Sequence, residues 1–247
     1  MRIWIDLANS PHVPFFRALV PEFEARGHET LLTARPFAQT VEMARGAGLK
    51  TEVVGGGGAS GVLMRKAGGL AGRAFALARW TRGRGVDLAV SHNSYAQVLA
   101  ARALGTRSVT LMDYEHQPAN HLAFRLASRV VVPRAFPEED LRRCGARPAK
   151  VRRYDGIKDD VYLADFAPDP AFAGELRNEF GVTDEQVLVV ARPPAREALY
   201  HRFDNALFDE LLEDLARRPP VKLFVLARGD AQRQLYAERF AGVGNVA

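Results

Sequence analysis

The fold is decided by residues 2–6, Arg-Ile-Trp-Ile-Asp, together with residues 8–12, Ala-Asn-Ser-Pro-His, which follow them. Apolar and polar side chains alternate along residues 2–6, and this alternation predicts a β-strand. The Asn-Ser-Pro turn then predicts the start of a helix that runs to Arg26. Gly27 follows, and glycine is the usual residue just beyond a helix end. The chain therefore opens with a strand, a turn and a helix.

The same unit recurs along the chain. Strands are predicted over residues 28–34, 50–54, 87–91, 108–113 and 130–132, and helices are predicted between them. Strands that alternate with helices of about ten residues or more are typical of parallel sheets built from crossover connections. We therefore predict an α/β protein with a doubly wound parallel sheet.

The alternation of strands and helices is interrupted at residues 154–170, which contain a glycine, a run of acidic residues and two prolines. Such a segment is typical of an interdomain connection. Beyond it, strands are predicted over residues 186–191 and 222–227. We predict an N-terminal domain over residues 1–155, followed by a linker and an incomplete second Rossmann-like domain over residues 156–247. Because two parallel strands with open edges make a poor domain, we expect the natural chain to continue past Ala247.

Composition narrows the class of protein. With 47% hydrophobic and 26% charged residues, the 247-residue chain is neither disordered nor collagen-like. A single cysteine, Cys144, fits a reducing cytoplasm. The net charge of +5 comes mainly from arginines spread along the chain without a nucleic-acid motif, so we expect no nucleic-acid partner. The apolar and basic helix predicted over residues 62–82 fits either the core or peripheral contact with the inner face of an anionic membrane.

Polar residues fill the loops where an open α/β sheet binds ligands, at the carboxyl ends of its strands. We predict a substrate-binding cleft there, formed by Asn9, Ser10, His12, His92, Asn93, Ser94, Asp113, Glu115, His116 and Asn120, with Arg192 and Arg196 in the second unit. The glycine-rich residues 56–61 follow the third strand and lack the acidic partner of a dinucleotide fingerprint, which favours a flexible loop. No metal-ligand spacing is present either, so we expect no cofactor and no metal.

Residues 6–16, DLANSPHVPFF, resemble the opening of an uncharacterised bacterial and archaeal family of glycosyltransferase-like proteins. Residues 112–133, MDYEHQPANHLAFRLASRVVVP, are similar to a stretch in two groups of the GT-B fold. One group is the N-acetylglucosaminyltransferase that makes the lipid-linked peptidoglycan precursor, and the other is the UDP-N-acetylglucosamine 2-epimerases. In both groups a Glu-containing loop precedes an Asn at a helix start, which corresponds to Glu115 and Asn120. The resemblance implies a GT-B-like fold.

The resemblance also implies a glycosyltransferase-like protein that acts on a nucleotide-activated sugar, with a UDP-sugar expected, in cell-surface glycan or glycolipid synthesis. The acceptor and the oligomeric state are not indicated. In such a reaction His12 would act as a base, Glu115 would orient it or bind the acceptor, and Arg192 and Arg196 would face the diphosphate.

Two alternatives stay open. One is a UDP-sugar 2-epimerase-like enzyme, although residues 91–94, Ser-His-Asn-Ser, replace a turn that carries an acid in the epimerases. The other is a non-catalytic ligand-binding protein on the same fold, because a fold does not fix a function.

Overall fold

The structure, a computed structural model, describes residues 1–55, 63–194 and 206–247. It divides into two compact units, Met1–Phe166 and Ala167–Ala247. Residues 156–166, which the sequence analysis grouped with the linker, belong to the first unit. The glycine-rich loop predicted over residues 56–61 lies outside the described residues.

The first unit alternates strands and helices along its whole length. Its described elements are β1 (Arg2–Leu7), α1 (His12–Ala25), β2 (Glu29–Ala34), α2 (Thr40–Gly46), β3 (Thr51–Val53), α3 (Leu63–Thr81), β4 (Leu88–His92), α4 (Tyr95–Ala103), β5 (Arg107–Leu111), α5 (Asn120–Leu126), β6 (Arg129–Pro133), α6 (Glu138–Arg143), β7 (Val151–Tyr154) and α7 (Lys158–Leu163). The strands form one sheet in the order β3-β2-β1-β4-β5-β6-β7, and every pairing is parallel. This confirms the predicted doubly wound parallel sheet, in which the strand order reverses between β1 and β4.

β1 is an inner strand, next to the middle strand β4, and it is covered on both faces, as expected for a parallel sheet. Ile3 and Ile5 pack into a cluster with Phe16 of α1. Trp4, on the opposite face, packs into a second cluster with Leu77 of α3. Period-two alternation along one strand therefore supplies apolar side chains to both layers of helices.

α3 packs with its apolar stripe toward the sheet. Leu77 is fully buried, and Leu70 and Trp80 pack beside it, whereas Phe75 is 73% exposed. The sequence left two interpretations of this helix open, packing in the core or contact with a membrane. Leu70, Leu77 and Trp80 pack in the core. Arg73 departs from the predicted basic side of this helix, because it is buried on the side that faces the sheet.

The burial of Arg73 is explained by Asp6, a fully buried carboxylate near the end of β1. Arg73 donates from Nη1 to Asp6 Oδ2 and from Nη2 to Asp6 Oδ1, both at 2.8 Å. Thr33 Oγ1 donates to Asp6 Oδ1 at 2.6 Å and accepts from Trp4 Nε1 at 2.9 Å. Ser94 Oγ donates to Asp6 Oδ2. This buried network joins β1, β2, α3 and the start of α4, and a buried ion pair needs such supporting hydrogen bonds.

Three elements near the end of the first unit, α6, β7 and α7, were not predicted. β7 is an edge strand of four residues, Val-Arg-Arg-Tyr, so it lacks the apolar run that marks an inner strand. α7 begins at Lys158, where the Asp160 carboxylate accepts from the backbone N–H of Ile157 at 2.7 Å. Val161 and Tyr162 of α7 pack against the cluster around α1. The acidic segment therefore returns to the sheet.

The second unit contains α8 (Phe172–Phe180), β8 (Val187–Ala191), α9 (Leu207–Ala216), β9 (Val221–Val225) and α10 (Asp230–Arg239). β8 and β9 are parallel, as predicted for the first two strands of a Rossmann-like unit. Residues 245–247 add a further segment, because Ala247 donates its N–H to Leu223 O at 2.8 Å. No helix in the described ranges is long and apolar enough to cross a membrane.

We predict that Asp6→Asn and Arg73→Met each lower the free energy of unfolding by about 3–5 kcal/mol, because each leaves one buried charge or donor set without its partner. The double variant should recover part of this loss. Urea unfolding of the protein measures it. Arg26→Met, in the exposed Arg26–Glu22 pair, is the control and should change stability by less than about 1 kcal/mol. Equal effects of the buried and exposed variants would contradict the prediction.

Candidate active site at the carboxyl edge of the sheet

Four polar side chains from four different loops assemble at the carboxyl ends of the strands. His12 is the first residue of α1, and His92 is the last residue of β4. Asp113 lies in the loop after β5, and Lys158 begins α7 after β7. We call these four residues the histidine cluster. Parallel strands place the loops that follow them at the same edge, so residues far apart in sequence meet here.

Short polar contacts connect the histidine cluster. Lys158 Nζ lies 2.9 Å from Asp113 Oδ2, and His92 Nε2 lies 3.6 Å from Asp113 Oδ1. The rings of His12 and His92 have centroids 5.3 Å apart. Phe15 of α1 contacts the His92 ring edge-on at 5.6 Å. The two imidazoles are therefore held between an apolar wall and a carboxylate that Lys158 fixes.

Burial keeps both imidazoles neutral. The pKa of His92 is lowered to about 4, mainly by burial; Asp113 acts in the opposite direction, and the positive charge of Lys158 acts with burial. The pKa of His12 lies well below 6.5, first because of burial and then because of His92, Lys158 and Arg73. His12 Nδ1 is buried and has no hydrogen-bond partner among the described residues. A neutral imidazole with an unpaired nitrogen can accept or donate a proton.

Two asparagines shape the loop after β5. Asn93 adopts a left-handed conformation, with φ of 58°, and its Nδ2 lies 2.8 Å from Met112 Sδ and 3.3 Å from Asn120 Oδ1. Asn120 is fully buried and donates from Nδ2 to Tyr114 O at 3.0 Å. Both side chains therefore tie the loop that carries Glu115 to the end of β4. Their role in binding substrate stays a prediction.

The other predicted residues of the first unit are arranged around this cluster. Glu115 lies 3.6 Å from His116, measured from Oε1 to Nε2, and its side chain is partly exposed. Ser94 caps α4 by accepting from the Gln97 N–H at 3.3 Å, in addition to bonding Asp6. Asn9 Oδ1 accepts from the N–H of Ser10 at 2.9 Å in the turn before α1. His116, with a side chain that is 62% exposed, is thus more accessible than Glu115 at 28% or Asp113 at 27%.

The predicted arginines of the second unit are described only in part. Arg192 is exposed directly after β8, and Arg196 lies outside the described residues. The loop after β8 is held by Arg228, which donates from Nε to Pro193 O at 2.8 Å. Gln232 Nε2 donates to Pro194 O at 3.2 Å. The loops at the carboxyl ends of β8 and β9 are therefore connected.

Sequence reasoning missed Lys158 and Arg73. Lys158 lay in the segment interpreted as a linker, so nothing placed it at the sheet. Arg73 lay on a helix with other basic residues, and no local pattern distinguished it. A signal did exist for Arg73, since Asp6 stands in an otherwise apolar strand and a buried carboxylate requires a partner. Within the described ranges, no group of three or more His, Cys, Asp or Glu side chains is arranged to hold a metal.

The doubly wound sheet and the second parallel unit are those of a protein of the α/β class. The chain belongs to the family described as "Protein of unknown function (DUF354)", whose model matches residues 1–245. It is 25% identical to an uncharacterized protein of Methanocaldococcus jannaschii, MJ0665, over 96% of this chain and 68% of that protein.

Solved structures with a similar fold include three relevant proteins. Staphylococcus aureus MnaA with UDP is 11% identical, with a TM-score of 0.73, over 99% of this chain and 67% of its own. The Neisseria meningitidis UDP-GlcNAc 2-epimerase bound to UDP-GlcNAc is 12% identical, with a TM-score of 0.63, over 100% of this chain and 71% of its own. Acinetobacter baumannii MurG is 16% identical, with a TM-score of 0.51, over 100% of this chain and 65% of its own. At these identities the likeness establishes the GT-B-like fold.

We predict that the protein loses stability as the pH falls from about 6.5 to about 4. An unfolded histidine binds a proton in this window, whereas His92, with a pKa of about 4, stays neutral in the folded state. The stability contributed by neutral His92 is therefore complete above pH 6.5, and its full loss is about 3 kcal/mol. Urea unfolding at several pH values measures this slope.

His92→Gln should reduce the slope, because glutamine does not titrate, and the remaining slope should come from His12, whose pKa also lies well below 6.5. His116→Gln is the matched control, since the His116 side chain is 62% exposed, and it should leave the slope as in the parent protein. A slope that His92→Gln does not change would show that His92 is not held neutral by the fold.

Proposed function

We propose that this protein acts on a nucleotide-activated sugar, with a UDP-sugar as the donor, and transfers the sugar to an acceptor hydroxyl. The observation that carries the proposal is the histidine cluster, which places two neutral imidazoles beside a fixed carboxylate at the carboxyl edge of the sheet. The proposal is supported by the fold, which this chain shares with proteins whose structures contain UDP or UDP-GlcNAc. Open α/β sheets bind their ligands at this edge, which supports placing the chemistry there.

His12 is the proposed base for the acceptor hydroxyl. Its Nδ1 is unpaired among the described residues, and its low pKa keeps it unprotonated at neutral pH. A base with a very low pKa removes a proton weakly, because proton transfer to it is uphill. Lys158 and Arg73 contribute to that low pKa, so an anionic substrate that offsets their charge would raise it. In this proposal, substrate binding itself activates His12.

Asp113 and Lys158 are proposed as positioning residues. Lys158 holds one oxygen of Asp113 at 2.9 Å, and the other oxygen faces His92 Nε2. This arrangement places a carboxylate oxygen beside the His92 ring, against which the His12 ring packs. An imidazole held by such contacts loses little rotational freedom when the substrate arrives.

The remaining predicted residues have proposed roles in binding. Glu115, which is paired with His116 and partly exposed, fits hydrogen bonding to acceptor hydroxyls. Asn9, Ser10 and Asn93 lie in loops at the same edge and are proposed to bind the acceptor. Arg192 and Arg196 of the second unit are proposed to face the diphosphate of the donor, since arginine suits phosphate oxygens. We propose that the acceptor belongs to cell-surface glycan or glycolipid synthesis and is met at the cytoplasmic face of the membrane.

We predict that the protein binds UDP-GlcNAc saturably and releases UDP from it slowly, with water in place of the acceptor. His12→Gln should lower the rate of UDP release by about 100-fold or more, because it removes the proposed base, and should leave the dissociation constant nearly unchanged. Calorimetric titration measures binding, and a coupled assay measures UDP release. His121→Gln, on α5, is the matched histidine control and should leave both quantities unchanged.

Two results would count against this proposal. An absence of binding to any nucleotide sugar, in a protein shown to be folded, would remove the nucleotide-sugar function. Binding without turnover in the parent protein, even after a screen of acceptors, would favour a ligand-binding protein on the same fold.

An epimerase-like reaction is the second candidate, since the epimerase superposes better than MurG, with TM-scores of 0.63 and 0.51. Epimerisation at C2 removes and returns the sugar proton, so in heavy water the C2 position of UDP-GlcNAc should acquire deuterium. NMR of the recovered nucleotide sugar distinguishes the reactions: deuterium at C2 indicates epimerisation, and UDP release without deuterium indicates transfer. The His12→Gln variant should lose whichever signal the parent protein shows.

A further inference from the structure

A second feature of the carboxyl edge is Arg35, the residue directly after β2. Its backbone N–H donates to Leu7 O at 2.9 Å, so it lies beside the end of β1. The Val54 N–H donates to Ala34 O at 3.0 Å, which brings the end of β3 to the same place. Arg35 therefore stands where β1, β2 and β3 end, next to the loop that leads to His12.

The charges at this place do not balance. Asp6 is engaged on both oxygens by Arg73 and also accepts from Thr33 and Ser94, so its charge is matched by that of Arg73. Arg35 interacts electrostatically with both Asp6 and Arg73 but forms no ion pair with a described residue. Residues 56–62, Gly-Gly-Gly-Ala-Ser-Gly-Val, follow β3 and contain no acid in the sequence. The positive charge of Arg35 therefore has no acidic partner among the described residues.

Two guanidinium nitrogens at this place lack partners. Arg35 Nε and Arg73 Nε are both buried, and neither donates a hydrogen bond to an acceptor in the described part of the chain. The Arg73 side chain is only 6% exposed. Burial and the neighbouring Arg73 both lower the pKa of Arg35, which means that the fold disfavours its charge. A buried donor without an acceptor costs about 1–3 kcal/mol, and more when it is charged, so a structural role alone does not explain this arrangement.

The Phe37 ring gives Arg35 one packing contact, with the guanidinium carbon 4.7 Å from the ring centroid. Such a contact stabilises a cation but supplies no acceptor for its N–H groups. It holds the side chain at the carboxyl edge while leaving its hydrogen-bonding capacity unused. An oxyanion is the ligand that would supply both the charge and the acceptors, because arginine N–H groups match phosphate and carboxylate oxygens.

We propose that Arg35, supported by Arg73, binds an oxyanion of the acceptor substrate, either a phosphate or a carboxylate, beside His12. The assignment of this oxyanion to an acceptor substrate rests on the proposed function, whereas the anion site itself does not. Arg73 is one of the charges that lower the pKa of His12, so the two places lie within electrostatic range. An anion bound there would offset this charge and favour proton uptake by His12.

The test uses inorganic phosphate and acetate as separate probes in calorimetric titrations of the protein. At least one of them should bind saturably, and Arg35→Met, which keeps most of the side-chain stem, should weaken that binding by about tenfold or more. Arg102→Met, at an exposed position on α4, is the matched control and should bind like the parent protein. The probe that binds identifies the group as phosphate or carboxylate.

Unfolding without ligand separates a binding role from a structural one. Arg35→Met should be at least as stable as the parent protein, because it removes a charge that the fold disfavours. A clear loss of stability in Arg35→Met, or binding of both probes unchanged by it, would overturn the proposal, and so would the absence of any binding. These measurements need no nucleotide sugar, so their failure is distinguishable from failure of the proposed function.

Discussion

The buried carboxylate of Asp6 is the constraint on which the carboxyl edge of the sheet depends. It binds Arg73 from α3, Thr33 from β2 and Ser94 from the start of α4. Ser94 in turn caps α4, two residues after His92, and Asp6 lies six residues before His12. One ion pair with its hydrogen bonds thus fixes the two loops that carry the imidazoles. Without it, the fold would have to place the histidine cluster by apolar packing alone.

The same region combines strong burial with an excess of positive charge. His12 and His92 avoid the cost of a buried charge by staying neutral, while Lys158 and Arg73 are paired with the carboxylates of Asp113 and Asp6. Arg35 is the exception, since it has no such partner among the described residues. Sites that bind anionic substrates are expected to be destabilised in this way before the ligand arrives, because the ligand supplies the missing charge.

The sheet could be predicted from the sequence because strand-like segments alternate with helical ones along the chain. Residues 2–6 were sufficient to identify the first strand, and the histidines followed from their position after strand ends. β7 could not be predicted in this way, since Arg152 and Arg153 interrupt its apolar pattern at the edge of the sheet. Lys158 was missed with it, because its place at the site depends on α7 returning to α1. Contacts between distant elements, as for Arg73 and Asp6, leave no local pattern to detect.

The proposed function depends most directly on one claim, that the carboxyl edge with its neutral imidazoles is where the sugar substrate binds. Nitrogen-15 NMR of the histidine side chains at neutral pH, with and without UDP-GlcNAc, tests this claim, with signals assigned through His→Gln variants. We predict that His12 and His92 give the nitrogen-15 signals of neutral imidazoles and that their chemical shifts change on addition of UDP-GlcNAc. The chemical shift of His121, on α5, should stay the same. Protonated signals, or saturable binding that leaves His12 and His92 unmoved, would contradict it.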